Sequence, residues 1–316
     1  MDEPLIIVRA VHFAATLSLA GAAIFDVFIA QAALRLDASA ELRAVVGRRL
    51  TLIGWSALAL TLLSGAAWFV LVVQSISSDQ PLAEVLTDTA GLRIVLLETD
   101  FGRDWLARLV LLVVIAVLLA SDLGGERDSR GSLKIAIVLA AAGLTGTLAW
   151  AGHGVGGAGL AGSIHTAADF LHLVAAAAWV GGLLPLALLL AAAQRASAIE
   201  VARAASLRFS ACGVAAVGTL LLTGVINAWY LAGSIHALTA TDYGHLLLVK
   251  IALFLVMLAL ATINRLWLTP ALTDGKSASN ALRQLRRNIL IEIAAAALII
   301  AVVAVLGVTP PGLGEQ

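Results

Sequence analysis

Sulfur ligands and charged side chains are both scarce in this chain of 316 residues. It has a single cysteine, Cys212, and two methionines, Met1 and Met257. One cysteine excludes an intrachain disulfide and argues against a cysteine-based metal site. Charged residues make up only 13% of the chain and the formal net charge is zero, so nothing indicates nucleic-acid binding.

Hydrophobic residues, in contrast, make up 61% of the chain. A soluble domain is closer to half apolar and a quarter charged. Eight apolar segments are long enough to cross a bilayer as helices, and they exceed the length of a barrel strand. We place them at 5–34, 44–74, 101–121, 133–152, 165–193, 205–233, 243–269 and 282–308. The sequence therefore predicts an all-α, polytopic membrane helix bundle that contacts membrane lipid.

Basic residues gather in the loops after segments 1, 3, 5 and 7. Those loops carry Arg35, Arg43, Arg48, Arg49, Arg127, Arg130, Lys134, Arg195, Arg203, Arg208, Lys276, Arg283, Arg286 and Arg287. Basic loops stay on the cytoplasmic side, so both termini are predicted outside, in the periplasm, for a multi-pass protein of the bacterial inner membrane. The acidic stretch 75–100 is then an outer loop, with a surface helix predicted over residues 85–97.

Three polar residues lie at the start of segment 5. His165, Asp169 and His172 are spaced four and three residues apart, so they share one face of a helix, and Trp179 lies two turns further along it. An ionisable group inside a membrane segment is costly and marks a candidate functional site. The alternative is a helix end wetted by lipid headgroups.

With this topology, all six histidines of the chain fall in the outer half. Histidine is the commonest metal ligand in proteins. We predict an outer metal site made of His12, His165, Asp169 and His172, with His153, His236 or His245 joining. For His236 the alternative is an ordinary polar residue at the membrane interface.

The two halves of the chain resemble each other. Thr-Asp-Phe-Gly at 99–102 returns as Thr-Asp-Tyr-Gly at 241–244, and Leu-Leu-Ser-Gly at 62–65 returns as Leu-Leu-Thr-Gly at 221–224. His12 and Gly21 match His172 and Gly181 in the same order. These matches predict two parallel four-helix repeats, residues 1–152 and 153–316, related by a pseudo-twofold axis along the membrane normal.

The same repeat pairs Arg108 with Lys250, each about two turns inside the outer face by the helical rise. A buried cation needs a partner or a water-filled cavity, and Asp169, Asp100, Asp242 and Glu98 are the outer-side candidates. The alternative is that both side chains extend to the outer surface. Nearer the cytoplasm, Asp26 and Glu292 are predicted to form structural pairs, with Arg48 or Arg287; the alternative is that they belong to an exit route.

The stretch 165–183, with its Asp-Phe-Leu-His core and Trp-Val-Gly-Gly-Leu end, resembles the signature of the CopD/PcoD copper-resistance membrane proteins. The run from Thr241 to Lys250, together with Asn264-Arg265 and Pro270, is similar to the same family. The resemblance implies a transporter rather than an enzyme, which moves copper across the inner membrane. It also implies a periplasmic copper-binding partner of the CopC type.

The scarcity of sulfur bears on the form of copper. Imidazole and carboxylate suit Cu(II), and also Zn(II), whereas thiolate and thioether suit Cu(I). Met257 and Cys212 both lie away from the outer histidines. A copper site in this chain is therefore expected to favour Cu(II) over Cu(I).

The residues alone leave two alternative functions open. The first is a membrane redox protein that binds b-type haem, with His12 and His172 as axial ligands and Arg108 and Lys250 at the propionates. The second is a metal-free accessory protein or proton-coupled carrier, in which the histidines titrate.

Overall fold

All regular structure in the described residues of the computed structural model is helical; these residues are 2–36, 38–76, 81–124, 130–151, 159–232, 234–274 and 277–310. Within these ranges, eight helices are long and apolar enough to cross a membrane. Spans 1 to 8 are Glu3–Leu34, Ala40–Ile76, Asp100–Leu123, Gly131–Trp150, Gly162–Arg195, Ile199–Leu231, Asp242–Thr273 and Ala278–Leu306. The prediction of a polytopic bundle of eight membrane helices is confirmed.

Several spans combine more than one helical element. The α-helices are α1 (Asp2–Phe25), α2 (Gln31–Leu34), α3 (Ala40–Ile76), α4 (Leu82–Thr87), α5 (Thr89–Glu98), α6 (Asp100–Gly124), α7 (Arg130–Gly146), α8 (Gly159–Ala176), α9 (Gly182–Arg195), α10 (Ile199–Ala232), α11 (Ile235–Ala240), α12 (Asp242–Ile263) and α13 (Ala278–Leu306). Turns of π-helix at Asp26–Ala30, Ala177–Gly181 and Asn264–Leu268 widen spans 1, 5 and 7. Turns of 3-10 helix lie at Thr147–Ala151 and Pro270–Thr273.

The two Thr-Asp-aromatic-Gly motifs start spans 3 and 7 in the same way. The Thr99 hydroxyl accepts from the Gly102 N–H at 3.0 Å, and the Thr241 hydroxyl accepts from the Gly244 N–H at 3.0 Å. Each threonine therefore caps a helix. Each glycine packs against the backbone of the short helix before it, where an added Cβ would clash. The motif thus turns a surface helix sharply into a membrane span.

The surface helix predicted over residues 85–97 is in fact two helices, α4 and α5. Asp88 separates them, and its carboxylate accepts from the Gly91 N–H at 3.0 Å. An aspartate at this position ends one helix and caps the next, because its side chain takes up a free backbone donor.

Spans 1 and 5 cross at the two glycines that the internal repeat matches. A Cβ on Gly181 would lie 3.0 Å from the Gly21 Cα, and one on Gly21 would clash with the Gly181 backbone. Small residues let two membrane helices approach this closely. Residues related by a twofold axis can touch only at that axis, so this contact supports the predicted pseudo-symmetry.

With an even number of spans, both chain ends lie at one end of the bundle, called here the terminus end. The other end, called the basic end, holds the arginine-rich loops. Large apolar side chains such as Leu63, Leu222 and Val225 are more than 60% exposed, as expected for a lipid-facing surface. Polar side chains are instead collected inside the bundle, several of them near the terminus end.

Candidate functional site

The histidines of spans 1 and 5 make the same contact in the two halves. The Nδ1 atom of His12 lies 3.0 Å from the Ser64 hydroxyl, and Nδ1 of His172 lies 2.9 Å from the Thr223 hydroxyl. These pairs are the ones that the sequence repeat matches. The glycine after each hydroxyl residue faces the imidazole, since an added Cβ on it would lie 3.3 Å from His12 and 3.7 Å from His172.

The hydroxyl groups determine which imidazole nitrogen carries the proton. Ser64 donates its proton to the Leu60 carbonyl at 2.6 Å, and Thr223 donates to the Thr219 carbonyl at 2.6 Å. A hydroxyl has one proton, so each accepts from the histidine Nδ1–H. Nε2 is then left with a free lone pair, which is the form that binds a metal ion. In His12 this atom is buried with no hydrogen-bond partner among the described residues.

A cavity of about 160 Å³ lies in the C-terminal half near the terminus end. His165, Asp169 and His172 line it, so the structure brings together the three residues at the start of segment 5. Lys250 and Arg9 line the same cavity. We call it the terminus-end cavity.

The three residues of span 5 form a ladder against span 6. Besides the contact of His172 with Thr223, the Asp169 carboxylate accepts from the Asn227 amide at 3.1 Å. The His165 ring stacks on Tyr230 with ring centroids 5.0 Å apart and an interplanar angle of 7°. At the helical rise, His165 and His172 are separated by roughly 10 Å along the span. The three side chains thus occupy successive positions along span 5.

Of the residues predicted for the outer metal site, His165, Asp169 and His172 line the terminus-end cavity, and His12, His236 and His245 do not. Among the residues that the structure describes, no three His, Cys, Asp or Glu side chains converge closely enough to hold one ion. His236 and His245 are exposed, and the His245 Nε2 atom lies 3.0 Å from the Thr239 carbonyl oxygen, outside the cavity lining. His153 lies outside the described residues.

His12 is separated from the other histidines by packing. The space around it measures about 10 Å³ and is lined by Trp68, Trp105 and Arg108. Trp68 is 3% exposed, and its ring centroid lies 5.4 Å from that of His12. Trp68 stands three residues after Gly65, where the other half has Asn227 three residues after Gly224. The bulkier indole fills in one half the space that remains open in the other.

Arg108 is held by partners rather than extending to the surface. It forms an ion pair with Asp104, one helical turn earlier, and it donates to the Thr147 hydroxyl at 3.1 Å and to the Thr147 carbonyl at 2.9 Å. The candidate partners named from the sequence did not include Asp104. Its spacing of four residues from Arg108 was the signal that identifies it.

Trp179 belongs to a different part of the molecule from the histidines. It is 2% exposed and meets the Phe254 ring edge-on at 5.8 Å. It lines a second cavity of about 170 Å³ towards the basic end. Trp179 follows His172 by seven residues, roughly 10 Å along the span at the helical rise, and it does not line the terminus-end cavity.

The two acids nearer the basic end have structural partners, although not the arginines predicted for them. Asp26 pairs with Lys134 at 2.6 Å. Glu292 accepts from the Asn264 amide at 2.7 Å, and Asn264 in turn accepts from Asn288 at 2.9 Å. Such bonds between helices satisfy polar groups that would be costly inside a membrane.

The geometry does not support the haem hypothesis. His12 and His172 line separate cavities of about 10 Å³ and 160 Å³, with Trp68 packed beside His12. Pockets for ligands of drug size usually measure about 300 to 1,000 Å³. A porphyrin bound to His12 would require the buried Trp68 side chain beside it to move.

Comparison with known proteins identifies two matching families. The family described as copper resistance protein D matches residues 203–306, and the copper resistance protein D-like N-terminal domain matches residues 1–163. Copper resistance protein D of Pseudomonas syringae pv. tomato is 33% identical over 220 residues, which cover 68% of this chain and 70% of that protein.

Two further relatives cover less of the chain. Inner membrane protein YebZ of Escherichia coli strain K12 is 34% identical over 183 residues, 57% of this chain and 59% of that protein. Copper transport protein CutJ of Bacillus subtilis strain 168 is 33% identical over 173 residues, 55% of this chain and 32% of that protein. No solved structure matches the chain significantly.

Proposed function

The chain belongs to the copper resistance protein D family, and from this premise we propose that it moves copper across the bacterial inner membrane through the terminus-end cavity. In this proposal copper is the cargo. His165, Asp169 and His172 bind it at successive positions, and His172 is the innermost of the three. One observation carries the proposal: the three polar residues that open span 5 line one cavity inside the bundle.

The ligand atoms support copper as the cargo and favour Cu(II). Imidazole nitrogen and carboxylate oxygen are ligands that suit Cu(II). The hydrogen bond from His172 to Thr223 leaves the histidine Nε2 atom free for a metal. The two sulfur-containing candidates, Met257 and Cys212, do not line the cavity.

The arrangement as a ladder supports transport rather than storage. A site that holds an ion permanently surrounds it with three or four ligands at once. Here the ligands are spread along the helix, and each is held by its own partner on span 6. An ion bound by few protein ligands at each position is released more easily to the next position.

The direction of the path follows from the charge rule. The arginine-rich loops support a cytoplasmic position for the basic end, and in this proposal the terminus-end cavity faces the periplasm. A periplasmic copper-binding protein of the CopC type is then the partner that would deliver copper at this face. The names of the relatives in Pseudomonas and Bacillus, which refer to copper resistance and copper transport, favour the same role here.

Copper binding and transport by purified protein test the proposal. We expect His172→Ala, His165→Ala and Asp169→Asn to lower Cu(II) affinity and copper flux into proteoliposomes, with His172→Ala the most severe. Asp100→Asn is the matched control for Asp169→Asn, because its carboxylate is exposed at the start of span 3, where it pairs with Arg103. Wild-type affinity and flux in all three cavity variants would contradict the proposal.

A further inference from the structure

Two cations line the terminus-end cavity without a counter-ion in contact. They are Arg9 of span 1 and Lys250 of span 7. Within the described part of the chain, neither has an acidic side chain within ion-pair distance. A charged group inside a membrane span normally pairs with another group or faces a water-filled cavity. Two unpaired cations at one cavity therefore require an explanation.

Arg9 is buried with its hydrogen-bonding capacity partly unused. It is 7% exposed, and its Nε–H has no hydrogen-bond partner among the residues that the structure describes. The guanidinium carbon lies 4.9 Å from the Trp68 ring centroid and 5.6 Å from that of Phe13. It also packs against Gly307 at the end of span 8, where an added Cβ would clash with it. The aromatic rings and the negative end of that helix offset part of the burial cost.

Lys250 differs from its counterpart in the other half by the loss of an acid. Arg108 has Asp104 four residues before it on the same helix, and the two form an ion pair. The residue four before Lys250 is Leu246. The N-terminal half thus neutralises its cation within one helix. The C-terminal half leaves its cation facing the cavity.

The charges at the cavity sum to one net positive charge when the histidines are neutral. Arg9 and Lys250 each contribute one positive charge, and Asp169 contributes one negative charge. Asp169 is held by Asn227 and lies beyond ion-pair distance from both cations. Because charges interact strongly where water is scarce, this excess favours a bound anion. It also opposes a lone copper cation.

We propose that the terminus-end cavity binds a small monovalent anion, of the size of chloride, formate or acetate, between Arg9 and Lys250. Arginine and lysine are the side chains that bind such anions. The cavity of about 160 Å³ restricts the anion to a small one. This inference goes beyond the proposed function, because the anion binds whether or not copper is present. When both are present, the anion compensates the charge that would otherwise repel the copper ion.

Anion-dependent thermal unfolding of the purified full chain, kept free of metal by a chelator, tests the inference. At constant ionic strength, chloride and formate are expected to raise the unfolding midpoint in a saturable way, and the larger gluconate is not. Arg9→Gln and Lys250→Gln should each lose this response, and Lys250→Arg should keep it. Arg103→Gln, which removes an exposed cation outside the cavity, is the matched control and should respond like the wild type.

A second measurement needs no variant. Crystals of the wild-type protein grown with bromide should give an anomalous scattering peak between Arg9 and Lys250. Absence of that peak, or the same chloride response in Lys250→Gln as in the wild type, would overturn the inference.

The Asp169→Asn variant distinguishes this inference from the proposed function. Removing the carboxylate raises the net charge at the cavity, so anion affinity should increase. The same change removes a copper ligand, so Cu(II) affinity should decrease. Weaker copper binding with unchanged anion affinity would overturn the anion site and leave the copper proposal standing. Tighter anion binding with unchanged copper affinity would contradict the role of Asp169 as a copper ligand and leave the anion site standing.

Discussion

Gly21 of span 1 and Gly181 of span 5 are in backbone contact at the crossing of the two helices. The same two glycines are matched by the internal repeat of the sequence. Their contact brings the two halves of the bundle together in the middle of the molecule. The histidines His12 and His172 lie nine residues before them on the same two spans. This crossing therefore sets how far apart the histidine contacts of the two halves are held.

Gly181→Ala is expected to destabilise the protein strongly. Its new Cβ would clash with the Leu17 carbonyl oxygen, which is backbone and cannot turn away. Overpacking of this kind costs about 1 to 3 kcal/mol and more where backbone must move. Gly143→Ala is the control, because an added Cβ there meets nothing within 4 Å. Thermal unfolding in detergent should show a lower midpoint for the first variant alone. Equal midpoints would contradict the close crossing.

Thr223→Val is expected to weaken copper binding without removing any ligand. The change deletes the hydroxyl that accepts from the His172 Nδ1–H and so frees the ring to rotate and to change tautomer. Loss of such an orienting partner typically lowers metal affinity by about 10- to 100-fold. Titration of the variant and of the wild type with Cu(II) measures the change in affinity. Thr219→Val is the control: the Thr219 hydroxyl donates to the Ala215 carbonyl of its own helix, so this variant should bind copper like the wild type.

Asp104→Asn is expected to destabilise span 3 because it leaves a buried guanidinium without its counter-ion. Arg108 has 5% side-chain exposure and Asp104 has 14%. Breaking a buried ion pair costs about 3 to 5 kcal/mol. The same helix carries an exposed pair, Asp100 with Arg103, and Asp100→Asn should cost no more than about 1 kcal/mol. Similar unfolding midpoints for the two variants would show that Arg108 does not depend on Asp104.

The orientation in the membrane can be measured with single cysteines. Cys212→Ser removes the only thiol, and Ala40→Cys and Ala90→Cys then place one exposed thiol at either end of the bundle. We expect an impermeant maleimide to label Ala90→Cys in cells whose outer membrane has been permeabilised. Ala40→Cys should react only after the inner membrane is disrupted. The opposite pattern would place both termini in the cytoplasm and reverse the proposed direction of the path.

Residues 165–172 show which part of the site local sequence is able to predict. The spacing of His165, Asp169 and His172 was enough to place them on one helical face, and the structure places all three at one cavity. Their partners Thr223 and Asn227 belong to another span more than fifty residues away. The internal repeat matches Thr223 with Ser64, but it does not say which side chain either hydroxyl contacts.

The structure brings only some of the residues predicted for the outer metal site to one cavity, for a reason that the sequence does not contain. Topology places His12, His236 and His245 at similar depth, but depth says nothing about position within the membrane plane. The structure buries His12 beside Trp68 and leaves His236 and His245 exposed. Arg9 was overlooked for the opposite reason, since only the packing of spans 1, 5 and 8 brings it to the cavity of the other half.

Composition and the length of the apolar runs by themselves determined the eight spans, because membrane helices satisfy their own backbone and need only length and hydrophobicity. The helix caps at Thr99 and Thr241 likewise follow from the local Thr-Asp-aromatic-Gly motif. The tertiary structure alone decided which half keeps an open cavity and which side chains share it. Those outcomes depend on the volume of Trp68 against Asn227 and on lateral contacts between spans, and no spacing along one helix reports either of them.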